Sequence, residues 1–522
     1  MVSVEDVADS ESQASREATR QHRFLLFVLV LGIVLLWLPA LRSSFWVDET
    51  WTYWAIGDGF FEAIDRAQRF HSVSPTYFAV LWCVKRVCGS SEWVLRLPSV
   101  VAGVLTVFVL CRLAGRLTDR ETGLLAGIVF VCSGPVAFAA ADARPYAMVV
   151  LASTGAIYFL VEWVRERRAR DAVAYAVLAS LSVYLQVLSG AMFAVHAVYV
   201  WRARGAGLGQ GLRGVNGLAV LVFILLLPLV PDAWSQLEAW VHVRQTGRPL
   251  WIGTPTVADL AVVCVPPVIA FSLLISILVV SAVTPSFALR WRVPKADGNL
   301  LLLSWAFMPP TLFFVISGIS PVKLFVPRYV LCAAPGLSLL AACLMRAVEP
   351  PRARRIAVQI VVSLSVLSFF GTNHGAEDWR SAVNEARQYA AGKAIPVLLR
   401  SGIDVLDASD VDVILDPNRR DSILTPLAAY KLDADVIPLP WAVETEPQLR
   451  YMEQILSDRL LRADSFLLIA RAFGDDGKMT SWLRGRLAPL GFCARSLGNF
   501  GAVHALVFER GAAACGNQGL KH

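Results

Sequence analysis

The sequence predicts a polytopic α-helical membrane protein that carries a small α/β domain after its last span. Three observations predict it. Of 522 residues, 56% are hydrophobic and only 17% charged, with a mean hydropathy of +0.56, against roughly 25% charged in an ordinary soluble chain. Apolar runs close to the ~20 residues that a spanning helix requires recur from Phe24 onward. Beyond residue 371 the pattern changes to short strand-like runs alternating with helix-like segments.

Taken in order, residues 1–23 are polar and read as a cytoplasmic, disordered N-terminus. No A-x-A-like site follows the first apolar run, so that run is expected to stay as an anchor. Spanning helices are expected at about 24–41, 96–114, 122–141, 145–163, 172–188, 189–202, 214–231, 258–283, 299–317, 328–346 and 355–371. That is about eleven spans, with thirteen as the upper count. Arg165-Glu-Arg-Arg-Ala-Arg170, Arg202 with Arg204 and Arg213, Arg290 with Arg292 and Lys295, and Arg346 with Arg352, Arg354 and Arg355 form a family of short basic loops. The positive-inside rule makes these cytoplasmic, so the loops at 232–257 and 318–327 face outward. Ser74 to Cys88 opens near a proline and carries Lys85-Arg86 inside, which suits a helix lying along the membrane better than a crossing. A first outer loop, 42–95, then precedes the second span, and residues 372–510 lie outside the cytoplasm.

In that last region helix-like stretches at 377–392, 446–462 and 479–490 alternate with strand-like runs at 396–400, 435–438, 466–470 and 503–508. Alternation of this kind predicts an α/β domain, long enough to bury its own core. Residues 511–522 read as a flexible tail. The nine cysteines are scattered, without a C-x-x-C pair or a Cys/His cluster, so neither a disulfide framework nor a zinc site is expected. Cys493 and Cys515 can pair if their domain faces an oxidising compartment. The net charge of +7 sits mostly in the short loops and does not mark a nucleic-acid partner. The chain has no Walker loop and no G-x-G-x-x-G, so coupling to a bound nucleotide is not suggested.

Polar groups gather in the outward-facing segments. Asp48 and Glu49 form an acidic pair among the aromatics of Phe45 to Trp54. Carboxylates at that depth are costly and tend to line a water-filled site, although loop carboxylates beside interfacial aromatics would read the same way. His71 precedes the interfacial helix, Asp142-Ala-Arg-Pro-Tyr146 lies between two spans, and Lys323 and Arg328 precede the tenth. A carboxylate with converging cations could take a proton from an acceptor hydroxyl while the cations stabilise a departing phosphate, a task for which the arginine fork is well shaped. Singly, Arg144 and Arg328 also suit snorkelling toward headgroups. Trp234, Trp240 and Trp251 suit an aromatic belt as well as a sugar-stacking surface.

The order of these pieces resembles the GT-C membrane glycosyltransferases, in particular the bacterial family-39-like group related to protein O-mannosyltransferases and to the aminoarabinose transferase of lipid A. The resemblance rests on Asp48-Glu49 after the first helix, His71-x-x-x-Pro75-x-Tyr77, Leu95-Arg-Leu-Pro-Ser99, Asp142-Ala-Arg-Pro-Tyr146, Pro249 to Pro255, Pro327-Arg-Tyr329 and Glu377-Asp-Trp-Arg380. It implies a GT-C-like fold in the bacterial cytoplasmic membrane, with the C-terminal domain periplasmic or extracellular. It also implies transfer of a sugar, usually with inversion, from a polyprenyl-phosphate donor to a lipid, polysaccharide or protein acceptor. Membrane lipids are the other expected partner, and nucleic acid is not one. By position, Asp48 matches the general base and Glu49 its motif partner in catalysis. Arg144 matches the residue on the lipid phosphate, with Arg328 and Lys323 sharing that charge, and His71, Tyr77, Asp142, Tyr146 and Trp251 are candidate substrate contacts. The run His71-Ser-Val-Ser-Pro-Thr-Tyr77 departs from the family's tighter His-x-Pro-Pro or Lys-Pro-Pro-Leu-Tyr pattern. Phe70 stands where some relatives carry a metal-associated Glu, so no tightly bound metal is expected and a divalent ion is unsupported; no other cofactor is expected. The competing readings are a lipid or polysaccharide transporter or flippase, for which the chain lacks inverted repeats and paired broken helices, and a non-catalytic envelope assembly protein.

Overall fold

Apolar stretches in lipid fold as helices because their backbone groups have no water to bond and must satisfy one another. The computed structural model describes residues 4–69, 74–205, 212–231, 233, 234, 238, 253–290, 296–320, 323–369, 374–402, 411–472 and 476–511. His71, Trp251 and Cys515 lie outside them. In chain order the helices are α1 (Val4–Leu36), α2 (Val47–Ala55), α3 (Phe60–Arg69), α4 (Pro75–Cys88), α5 (Glu92–Leu117), α6 (Arg120–Cys132), α7 (Gly134–Ala140), α8 (Tyr146–Glu166), α9 (Ala169–Leu185), α10 (Met192–Gly205) and α11 (Leu212–Leu226). The membrane part continues with Val257–Cys264, Pro267–Val283, Ala296–Ile319, Ala334–Arg346 and Pro351–Phe369.

All eleven expected stretches are largely helical, but they differ in length from the sequence reading. Among the described residues, five helices are long and apolar enough to cross a membrane, or seven when each bent pair counts once. One pair, α6 and α7, bends by 76°, and the other, Val257–Cys264 with Pro267–Val283, bends by 61°. Pro135 and the Pro266-Pro267 step sit at these bends, where a residue without an N–H cannot continue the helical ladder. The remaining four stretches are shorter: α9 has 17 residues, and Val187–Ala203, Gly214–Leu229 and Leu331–Arg346 are apolar helices of 10–17 residues. A second difference is at the N-terminus, expected to be disordered. There α1 already begins at Val4, because the Ala, Glu, Gln and Arg residues upstream of Phe24 are good helix formers and extend the apolar helix backward.

The bundle core is held by close approaches that sequence periodicity does not reveal. Trp37 is fully buried, donates from Nε1 to the Val131 carbonyl at 3.2 Å, and lies over Gly103. A Cβ at Gly103 would stand 2.8 Å from the Trp37 ring, so only glycine fits. At one end of the bundle Arg354 pairs with Glu121, and Arg346 lies 3.5 Å from Asp119 and 3.4 Å from Glu121. The basic loop at 346–355 and the loop at 115–122 therefore share one end, as the orientation reading required.

The C-terminal domain is a five-stranded sheet of order β4-β3-β5-β7-β6, numbered after a two-residue ribbon of β1 (Ala288–Leu289) and β2 (Val348–Glu349). The strands are β3 (Pro396–Arg400), β4 (Asp435–Pro438), β5 (Ser465–Arg471), β6 (Phe492–Phe500) and β7 (Val503–Arg510). β4, β3 and β5 run parallel, whereas β7 is antiparallel to β5 and to β6. One face packs Leu398, Phe466, Leu468 and Phe508 against helices Glu446–Asp458 and Asp476–Leu487. The other packs Val397, Leu399, Leu467 and Ile469 against Trp379–Ala390. The sequence reading missed β6, since Phe492-Cys-Ala-Arg-Ser-Leu-Gly-Asn-Phe500 is an edge strand with little hydrophobic alternation, paired along β7. Cys493, at its start, is disulfide-bonded.

The domain docks on the segment between α1 and α5. The Tyr430 hydroxyl accepts from Phe45 N at 2.7 Å and donates to Glu92 at 3.1 Å. Thr50 and Thr425 bond through their hydroxyls at 3.1 Å. These contacts seat the domain directly over α2, the helix that carries the acidic pair.

Candidate active site

The first turn of a helix has N–H groups without intrahelical partners, so carboxylates are favoured there. Asp48 and Glu49 occupy the first turn of α2. Successive helical residues point about 100° apart, and here the two side chains part company. Glu49 is fully buried. It accepts from Arg96 Nε at 2.8 Å and Nη2 at 2.5 Å, from Ala143 N at 2.8 Å and from Trp46 N at 3.3 Å. Burial works against its charge, but Arg96 and these hydrogen bonds outweigh it and hold the carboxyl below the usual glutamate range. Arg96 spends its other nitrogen on the carbonyls of Ala40 and Ser43, both at 2.8 Å. Glu49 thus ties α2 to the start of α5, with both oxygens engaged.

Asp48, by contrast, keeps 18% of its side chain exposed, and its Oδ2 lies 3.7 Å from Arg328 Nη1. Arg328 sits on the turn Pro327–Tyr329, over the rings of Trp46 and Tyr329 at 5.9 and 5.7 Å. Arg144 is the second guanidinium beside Asp48. Burial opposes its charge, while Tyr146, Asp48 and Asp142 favour it more strongly, and its Nε is buried with no hydrogen-bond partner among the described residues. One half-open carboxylate, two guanidiniums and the Tyr146 ring therefore converge.

Behind them lies a buried layer. Asp142 accepts from Trp46 Nε1 at 3.0 Å, and its backbone carbonyl accepts from the Ser99 hydroxyl at 2.5 Å. Burial pushes its carboxyl above the usual range and the neighbouring Glu49 charge adds to this, while His374 and Trp46 pull the other way. His374 stacks on Phe138 with centroids 4.3 Å apart, and its Nε2 is 3.7 Å from Asp142 and 3.9 Å from Glu49. Tyr77 is buried on α4 within the field of Asp142 and Arg144. These side chains support the open site from beneath and do not face it.

Lys323 does not join the cluster. Its ammonium donates to the Ser317 and Ser320 carbonyls at 2.6 and 3.3 Å, at the C-terminal end of Ala296–Ile319, where a cation complements the helix dipole. The phosphate role expected for it is therefore replaced by a helix-capping one. Lys323→Met is expected to cost about 0.3–1 kcal/mol of stability and to leave turnover at the wild-type level, as thermal unfolding and a transfer assay on the same preparation would record.

Glu49, Asp142 and His374 bring one ligand atom each within 4.8 Å of one another, a spacing that a metal ion could bridge. The donor set fits poorly, because both Glu49 oxygens are filled by Arg96 and backbone amides; of the set, only Asp142 Oδ2 and His374 Nε2 have no hydrogen-bond partner among the described residues. Sequence reasoning missed two members of this layer. Arg96 was legible in principle, since an arginine in the first turn of an apolar span calls for a counter-ion. His374 carried no such signal, as it enters the site only through the path of the chain after Pro351–Phe369.

Residues 72–231 match the family model described as dolichyl-phosphate-mannose-protein mannosyltransferase. No curated protein sequence matches the chain. Among solved structures, the chain is similar to ArnT from Cupriavidus metallidurans bound to undecaprenyl phosphate, with 13% identity, 94% of this chain and 99% of that one covered, and a TM-score of 0.55. The apo form of that protein matches at 12% identity, with 93% and 98% covered and a TM-score of 0.55. The oligosaccharyltransferase from Archaeoglobus fulgidus, in complex with Zn and sulfate, matches at 12% identity, with 92% and 72% covered and a TM-score of 0.50.

Proposed function

From the GT-C fold that the chain shares with these membrane proteins, we propose that it is a glycosyltransferase moving a sugar from a polyprenyl-phosphate donor to an acceptor hydroxyl. The observation that carries this reading is the pairing of half-open Asp48 with Arg328 at 3.7 Å, beside an Arg144 whose Nε has no hydrogen-bond partner among the described residues. In the proposed step the acceptor oxygen attacks the anomeric carbon and the bond from that carbon to the phosphate oxygen breaks. The phosphate leaves with the electron pair, and Asp48 takes the hydroxyl proton. Arg144 and Arg328 receive the growing phosphate charge. Attack in line with the departing phosphate would invert the configuration at the anomeric carbon.

Asp48 alone of the acidic pair is open enough to accept a proton. Glu49 acts through Arg96 as a positioning residue, since its oxygens are already occupied. Tyr146 lines the phosphate side, whereas Tyr77 and Asp142 support the site from the buried layer. In this reading the membrane is the bacterial cytoplasmic one, the site and the C-terminal domain lie on its outer face, and the acceptor is a lipid, polysaccharide or protein approaching beneath that domain. The match to a protein bound to undecaprenyl phosphate supports a lipid-phosphate donor.

Purified protein incubated with a panel of radiolabelled polyprenyl-phosphate sugars is expected to release free prenyl phosphate from one of them. Folded protein that releases none from any donor, and forms no glycosylated product in membranes, would overturn the reading. Arg144→Ala is expected to lower kcat for that donor by roughly 10²–10³-fold, equivalent to about 2.7–4 kcal/mol of barrier. An Arg144→Ala enzyme with unchanged kcat would remove this residue from the phosphate site.

A further inference from the structure

Glu377 is 1% exposed, at the point where the chain leaves the membrane helices and enters the C-terminal domain. Its Oε1 accepts from Arg471 Nε at 2.6 Å, and its Oε2 accepts from Trp379 Nε1 at 2.7 Å. Both donors belong to the domain. The same Oε2 also accepts from Val47 N at 2.8 Å, the first amide of α2. The backbone around Glu377 is pinned on both sides. Ala502 N bonds Ala376 O at 2.6 Å and Asp378 N bonds Phe500 O at 3.1 Å, holding the segment to the β6–β7 turn. Gly375, at φ +70°, lies against Trp46, where a Cβ would come within 2.4 Å of the Trp46 Cβ.

We infer that Glu377 is a positioning residue for the transfer reaction, capping the helix that carries Asp48 and fixing that carboxylate relative to the C-terminal domain. The inference rests on the proposed role of Asp48. A nine-residue helix such as α2 has no stability of its own in water, so its direction is set by what holds its ends. Val47 N is one of the first-turn amides that lack an intrahelical acceptor, and a carboxylate is the strongest partner for it. Arg471 balances the buried charge, so the anchor is neutral as a unit. Asp48 is the next residue along, so a tilt of α2 would change its distance from Arg328. The seat of the C-terminal domain thereby becomes part of the geometry of the base.

The test compares wild type, Glu377→Ala and Glu377→Gln by two readouts on the full-length protein. Hydrogen exchange of the amides from Val47 to Thr50 is expected to speed up in Glu377→Ala and to return toward wild type in Glu377→Gln, which keeps an acceptor oxygen for Val47 N. Release of prenyl phosphate is expected to fall in kcat by about 10- to 100-fold in Glu377→Ala, the scale of a misplaced catalytic group. The donor KM is expected to stay within about twofold of wild type, with partial recovery of kcat in Glu377→Gln. Unchanged exchange in Glu377→Ala overturns the inference, as does a KM that rises with kcat unaltered. Wild-type protein without donor turnover would instead sink the transferase reading, and the exchange readout would still decide whether Glu377 holds α2.

Discussion

Asp48→Asn is expected to lower sugar transfer by roughly 10²–10⁴-fold, the range attributed to a positioned general base, while the protein remains folded. Asparagine keeps the shape of the side chain and can still bond a hydroxyl, but it cannot accept its proton. Because asparagine is nearly isosteric with aspartate and the Asp48–Arg328 pair is long at 3.7 Å, the fold is expected to survive the substitution. The measurement is prenyl phosphate release together with thermal unfolding of the same preparation. Loss of turnover at an unchanged melting temperature assigns the base. Equal release by both proteins would move the base elsewhere, and Asp142 is a poor substitute because it is fully buried with its carboxyl held toward the neutral form.

Glu49→Ala is expected to act on the other quantity, costing about 3–5 kcal/mol of stability, because it strands a buried guanidinium without its counter-ion. Arg96 is fully enclosed and would retain only neutral partners, the carbonyls of Ala40, Leu41, Ser43 and Ser44 and the Ser43 hydroxyl. Ala143 N would lose its acceptor as well. Glu49→Gln should fall between, keeping an acceptor and losing the charge. The dependence on pH has a definite sign. The Glu49 carboxyl is held below its ordinary value of 4.5, so the folded state binds this proton less readily than the unfolded one. Its contribution is fully present above that value and is lost as pH falls through the lower folded one. Burial shifts Asp142 and Glu377 upward, in the opposite sense. The difference in unfolding temperature between wild type and Glu49→Gln isolates the Glu49 term and is expected to shrink on acidification. A difference that stays constant down to pH 3 would show that the ion pair adds nothing beyond its hydrogen bonds.

These two outcomes separate residues that are adjacent in the chain. The sequence placed both in catalysis, with Asp48 as the base and Glu49 as its motif partner, and nothing in the motif showed that only one of them is open. A rotation of about 100° along α2 turns one toward Arg328 and the other into Arg96. Lys323 and Arg328 divide in the same manner, one capping a helix and the other facing Asp48. The grouping of Asp48 with Arg144 and Arg328 was legible because loop alternation assigned their segments to one side of the membrane. The cluster around His374 was not, since its members come from α2, from the turn before α8, and from residue 374.

Local patterns in the chain were enough to read the helical membrane part, the change to an α/β domain toward the C-terminus, and four of the five strands of that domain's sheet. Hydropathy, charge asymmetry and alternation are properties of neighbouring residues, so they can be read from a window of chain. Tertiary structure alone decided which helices reach spanning length, which carboxylate is open, and what holds α2. Those depend on side-chain direction and on contacts between distant residues, as in the bond from Val47 to Glu377, 330 positions apart. No local pattern carries such contacts, because the energy that fixes them comes from burying charge among groups that only the complete fold brings together.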